Sequence, residues 1–154
     1  MRPLRTLLAI TFGSWLGIFA ASEFVKRALP SRGDEESDEL ALVAIRDGID
    51  LKSRAKAFRG GSMMAWFGGI SVDFREAQLA PEARLSVHTL FGGIALDVPP
   101  EWRVESTAKA INGGVDVRSP AGDDPDAPVL LLDGLAVFGG IAVGAKKAAG
   151  RGLE

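Results

Sequence analysis

The sequence predicts an all-β protein: a small right-handed, β-helix-like solenoid of about five short coils, preceded by one amino-terminal transmembrane helix. Three observations predict it. A phrase recurs as Phe67-Gly68-Gly69-Ile70, Phe91-Gly92-Gly93-Ile94, Asn112-Gly113-Gly114-Val115 and Phe138-Gly139-Gly140-Ile141, with a weaker first copy at Arg46-Asp47-Gly48-Ile49. The second glycine of each copy falls at 48, 69, 93, 114 and 140, giving spacings of 21, 24, 21 and 26 residues. Self-similarity at that period belongs to stacked repeats, whose units bury apolar faces only against their neighbours. Finally, apolar residues alternate after each pair (Ile70 and Val72, Ile94 and Leu96, Val115 and Val117, Ile141 and Val143), as in a strand with one buried face.

The elements follow in order along the chain. Between Arg5 and Glu23 run 17 uncharged residues, Thr6 to Ser22, rich in Leu, Ile, Phe and Trp. A helix of that length spans about 25 Å, close to a hydrocarbon core near 30 Å, and Phe24 and Val25 extend it. Residues 1–28 therefore read as a single-pass signal anchor in the cell membrane. The competing reading is a cleaved signal peptide ending near Ala20-Ala21-Ser22, although the run is long and aromatic for one. Arg2 and Arg5 precede the segment and Lys26, Arg27 and Arg32 follow it, a bias that leans toward a cytoplasmic domain. Gly13 and Gly17 have the small-xxx-small spacing that lets two such helices approach. Residues 29–39 change to Pro, Gly and an Asp34-Glu35-Glu36-Ser37-Asp38-Glu39 run, read as a solvated acidic linker.

Residues 40–145 carry the repeat, and 146–154 form a polar tail. Aligning the copies sets Trp66, Leu90, Ile111 and Val137 in one column, expected as a buried ladder, with Ile70, Ile94, Val115 and Ile141 in another. Just before the first column stand the small residues Ala65, Thr89, Ala110 and Ala136. The glycine pairs are expected at corners, for two reasons: positive φ without a Cβ clash, and close approach between stacked layers. A phosphate-cradling role would need a following helix and a GxGxxG or lysine-bearing loop, and neither pattern is present. Insertions at 77–84, at Val98-Pro99-Pro100-Glu101-Trp102 and at 120–128 are expected to project as loops.

Composition narrows the function. The net charge of −2 has no basic block behind it, so no nucleic-acid footprint is expected, and zero cysteines exclude disulfides and thiolate metal sites. His88 is the one histidine and falls in a mixed column with Met64, Lys109 and Leu135, where a surface side chain is expected. Asp73 and Asp97 occupy equivalent positions one layer apart, near the spacing of a retaining glycosidase pair, but solvated carboxylates are the expected reading. Asp123, Asp124 and Asp126 are a cluster of the kind that holds Ca²⁺, yet Pro125 interrupts them and no closing glutamate follows, so a solvated acidic loop is expected. No catalytic, cofactor-binding or metal-binding residue is assigned, and no cofactor is expected.

The strings Ala57-Phe58-Arg59-Gly60-Gly61, Trp66-Phe67-Gly68-Gly69-Ile70-Ser71-Val72-Asp73-Phe74-Arg75-Glu76-Ala77 and Leu90-Phe91-Gly92-Gly93-Ile94-Ala95-Leu96-Asp97-Val98-Pro99-Pro100-Glu101-Trp102-Arg103-Val104 resemble the LiaF-like carboxy-terminal domain, the bacterial cell wall-active antibiotics response family. The resemblance covers roughly residues 40–145. It implies a non-catalytic β-solenoid attached to a membrane segment, regulating an envelope-stress response by contact with a protein such as a sensor kinase or an envelope component. The chain departs from the family in having one apparent span where the best-known members have several, and in Asn112 where the phrase has phenylalanine. The alternative is a structural solenoid that self-associates at the membrane through exposed coil edges.

Overall fold

The structure, a computed structural model, describes residues 31–145. The expected transmembrane helix and the tail lie outside the described residues; among those described, no helix is long and apolar enough to cross a membrane.

Eleven strands follow one another: β1 (Glu39–Ile45), β2 (Gly48–Lys52), β3 (Phe58–Trp66), β4 (Gly69–Asp73), β5 (Leu79–Leu90), β6 (Gly93–Val98), β7 (Arg103–Ser106), β8 (Lys109–Ile111), β9 (Gly114–Val117), β10 (Val129–Val137) and β11 (Gly140–Ala145). They form two parallel sheets of a β-solenoid. One is ordered β1-β3-β5-β10-β7, with β8 also on β10, and the other β2-β4-β6-β11-β9. Each copy of the phrase supplies one layer and turns the chain from the first sheet into the second.

The layers do not stack in chain order. The last copy, β10 and β11, lies between the third layer and the layer of β7, β8 and β9. Ile141 accordingly pairs with Ile94 on one side and Val115 on the other. The ladders expected from the alignment form, with their last two members exchanged. Every described ladder pair within the two sheets is parallel and in register on the glycines: Gly48, Gly69, Gly93, Gly140 and Gly114 stand in one row.

The interior is continuous through the layers. On the second sheet the buried row Ile70, Ile94 and Ile141 is extended by half-buried Ile49 and Val115, and a second row runs through Val72, Leu96 and Val143. The first sheet contributes Leu42, Met63 and Val87, then Leu85, Leu130 and Leu132. Phe58, Phe74 and Trp102 fill one end of the cross-section, with ring centroids 4.8 and 5.7 Å apart. Each fully buried side chain of this kind stabilises by roughly 1.5–3 kcal/mol.

One column is not where the alignment set it. Trp66, Leu90 and Val137 are only half-buried and Ile111 is exposed; they face out of the first sheet. Their small predecessors Ala65, Thr89 and Ala136, with Ala44 of the first layer, point in. Only small side chains occupy the inward row at this corner. Thr89 is the polar member of that inward row, and its hydroxyl has no partner.

The acidic run also differs from a free linker from Ser31 onward. Arg32 bridges antiparallel to Ala41. The Arg54 N–H donates to Glu35 O and its guanidinium pairs with the Glu35 carboxylate, while Asp38 accepts from the backbone N–H groups of Arg59 and Ala57. The Arg32 and Glu35 bonds cover backbone at the open edge of the first layer, where an unpaired strand would otherwise invite association, while the Asp38 bonds prolong the β1–β3 pairing.

Candidate functional site

The corner is built from sequence upward by steric exclusion. Positive φ falls on the residue before each glycine pair, and before its Asp47-Gly48 counterpart: Arg46 at 54°, Phe67 at 53°, Phe91 at 51°, Asn112 at 49° and Phe138 at 48°. The glycines answer a different demand. A Cβ on Gly92 would lie 2.2 Å from the carbonyl oxygen of Gly68, and one on Gly139 the same distance from that of Gly92. Among the described residues no layer lies beneath the first, and there Asp47 stands in the position of the first glycine. Of the two reasons expected for the glycines, close approach holds and positive φ belongs to their neighbour.

Left-handed backbone at that neighbour aims its side chain off the corner. Phe67, Phe91 and Phe138 consequently stack in a ladder, with centroids 5.0 Å apart and planes 9° and 6° from parallel. They are 40, 49 and 51 % exposed. Beside them runs the outward column of Trp66, Leu90, Val137 and Ile111, and Trp66 stacks on Phe67 at 6.2 Å. Arg46 and Asn112 stand at the two ends of the ladder. The alignment contained every member of this ridge, but period alone does not say which columns face outward.

Around the corner, the outer face of the second sheet forms an open trough of about 920 Å³. Its floor is the glycine row together with Ser71, Ala95 and Ala142, and Asp50 and Asp116 stand at its two ends. Such a floor is flat because none of its middle side chains is larger than serine.

The residues weighed for chemistry resolve as follows. Asp73 and Asp97 are cross-strand neighbours, as the columns required. Arg75 clamps Asp73: its Nε donates to Oδ1 at 2.8 Å, its second guanidinium nitrogen to Oδ2 at 2.5 Å, and its backbone N–H to Oδ1 at 2.9 Å. The hydrogen bond from the Arg75 side chain holds the Asp73 carboxyl below its usual range. A general acid needs a shift in the opposite direction. Asp124 accepts the Asp126 N–H at 3.0 Å, and its carbonyl accepts from Arg103, so the acidic insertion is a self-bonded turn. Among the described residues no group of three or more His, Cys, Asp or Glu side chains converges on a metal-sized site.

His88 is exposed on the outside of β5, between Met64 and Leu135 of the flanking strands. Two residues earlier on the same face, the Ser86 hydroxyl bonds Asp133 at 2.5 Å across the β5–β10 pair. Sequence reading missed this pair because the exchanged layers set residues 47 apart side by side. It orders carboxylate and hydroxyl directly, leaving no imidazole between them as a nucleophile–base relay would require.

No family model, curated protein or solved structure matches the chain.

Proposed function

We propose that this protein is a membrane-anchored, non-catalytic regulatory module of the LiaF-like type, in which residues 6–22 span the membrane and the right-handed solenoid binds a protein partner. The partner class is a sensor kinase or another envelope component, reached from whichever side of the membrane holds the domain; the basic-residue bias favours the cytoplasm. The observation that carries the binding role is the trough on the second sheet. Its flat, small-residue floor suits an extended protein surface better than a small molecule, which pockets enclose and grip with convergent polar groups. Right-handed winding accords with the twist preference of parallel crossovers.

The self-associating scaffold is the weaker reading, because the antiparallel bridge from Arg32 and the bond from Arg54 to Glu35 cover part of the edge that end-to-end stacking would use. The test is site-specific photocrosslinking in cells from Ala95 and Ser71, with reporter fusions at both ends fixing topology. Recovery of a membrane-associated signalling protein supports the regulatory reading. Recovery of this chain alone from both positions rejects it in favour of the scaffold.

A further inference from the structure

Large apolar side chains exposed to solvent are unevenly placed in the described domain. Phe67, Phe91, Phe138 and Ile111, each 40 % exposed or more, all lie along one corner, continuous with half-buried Trp66, Leu90 and Val137. A ridge of this kind on a soluble domain marks a contact surface. The fold also gives a reason for what it contacts. Arg32 pairs antiparallel with Ala41, and the Ser31 hydroxyl both accepts from the Val43 N–H and donates to the Val43 carbonyl. The chain therefore enters the domain from the Ile45–Arg46 end of β1, which is the end at which the ridge begins. Residues 6–22, the apolar run, precede that entry by fewer than ten residues.

We propose that the Phe67–Phe91–Phe138 ridge lies in the headgroup layer of the same membrane that holds the amino-terminal segment. This rests on the anchor reading above. The small number of residues between the apolar run and Ser31, at most about 3.5 Å each, limits how far that end of β1 can stand from the bilayer. Trp and Phe are among the side chains that interfacial elements bury at that layer, and a row of rings held parallel by the backbone loses little further freedom on insertion. The solenoid would then lie with its axis along the membrane, and the trough around the corner would stay open to a partner. Each ring occupies a left-handed backbone position that Asn112 fills in the fourth copy, so the ridge can be erased without disturbing the corner.

The chain has no cysteine, so single labels are clean. Full-length protein carrying Ile111→Cys or Ala95→Cys, labelled with an environment-sensitive fluorophore, is reconstituted in phosphatidylcholine–phosphatidylglycerol vesicles and floated after carbonate washing. Insertion ~5–10 Å deep predicts about two-fold quenching at position 111 by lipids brominated near the headgroup, and none at position 95. The triple variant Phe67→Asn, Phe91→Asn, Phe138→Asn should still float, keep its circular dichroism and lose that quenching. Flotation with no quenching at 111, or equal quenching at both positions, overturns the ridge proposal and leaves the anchor standing. Shielding of position 111 from both brominated lipid and aqueous iodide also overturns it, since protein then covers the ridge. Failure to float overturns the anchor and this inference together.

Discussion

Alanine at Gly92 and alanine at Gly93 should have opposite consequences, although the two glycines are adjacent and look alike in the repeat. At Gly92 the new Cβ would meet the Gly68 carbonyl oxygen at 2.2 Å, backbone against backbone. Relief requires the third layer to lift by about 1 Å, since ordinary contacts begin beyond 3 Å. The bonds that resist are Gly93 N–H to Gly68 O at 3.1 Å and, one layer on, Gly140 N–H to Gly92 O at 3.0 Å. Losing both at about 1–1.5 kcal/mol each, with some packing strain around them, makes a cost of about 3 kcal/mol. At Gly93 the nearest atom to an added Cβ is 3.8 Å away and φ lies outside the left-handed region. There alanine should be neutral, or should stabilise by up to about 1 kcal/mol by restricting the unfolded chain. Urea unfolding followed by tryptophan fluorescence separates the two. With a slope near ~1.5 kcal/mol per M, the Gly92→Ala midpoint should fall by about 2 M and that of Gly93→Ala should hold or rise. Equal midpoints would refute the argument that layer spacing, rather than chain flexibility, selects the first glycine.

Three further outcomes are expected. Ile94→Asp puts a carboxylate into a row that is 2 % exposed, flanked by Ile70 and Ile141, and should abolish the cooperative unfolding transition in calorimetry. Thr89→Val replaces an unpartnered interior hydroxyl with a methyl group of similar size and should raise stability by about 1 kcal/mol in urea titration; a lower midpoint would mean that the hydroxyl is satisfied in solution. Because the Asp73 carboxyl is held below its usual range in the folded state, the stability it contributes is complete above the ordinary carboxyl pKa and is lost as pH falls through the depressed value. Arg75→Ala should therefore raise the Asp73 pKa in a carbon-detected titration and weaken the dependence of stability on acid pH; an unmoved Asp73 would mean the clamp is absent in solution.

Much of this fold was legible because stacking imposes a column-by-column logic on the sequence. Glycine doublets at a near-constant period located the corners, and the Ile70, Ile94, Val115 and Ile141 column named an interior row correctly. Alignment could not show which side of the wall a column faces when the alternation breaks at a corner, so the Trp66, Leu90, Ile111 and Val137 column was expected inside. The decisive clue was present in Ala65, Thr89 and Ala136: a consistently small column beside a consistently large one marks the narrow side of the cavity. Layer order was not legible at all, since each copy carries the same apolar rows and would pair with any other. For that reason the Ser86–Asp133 contact had no signal in the sequence. The acidic run misled for another reason: its charge density resembles a spacer, while its backbone groups supply the edge bonds.

The exchanged position of the final copy changes how this domain can assemble. In an ordinary linear array, losing the last unit shortens the rod by one step. Here residues 129–145 are wedged between two earlier-made units, so without them β7, β8 and β9 have no neighbouring strand on which to lie. A nascent chain must keep its penultimate unit waiting until the closing piece arrives. Closing the described stack thus depends on pairings at long sequence separation, made by β10 and β11.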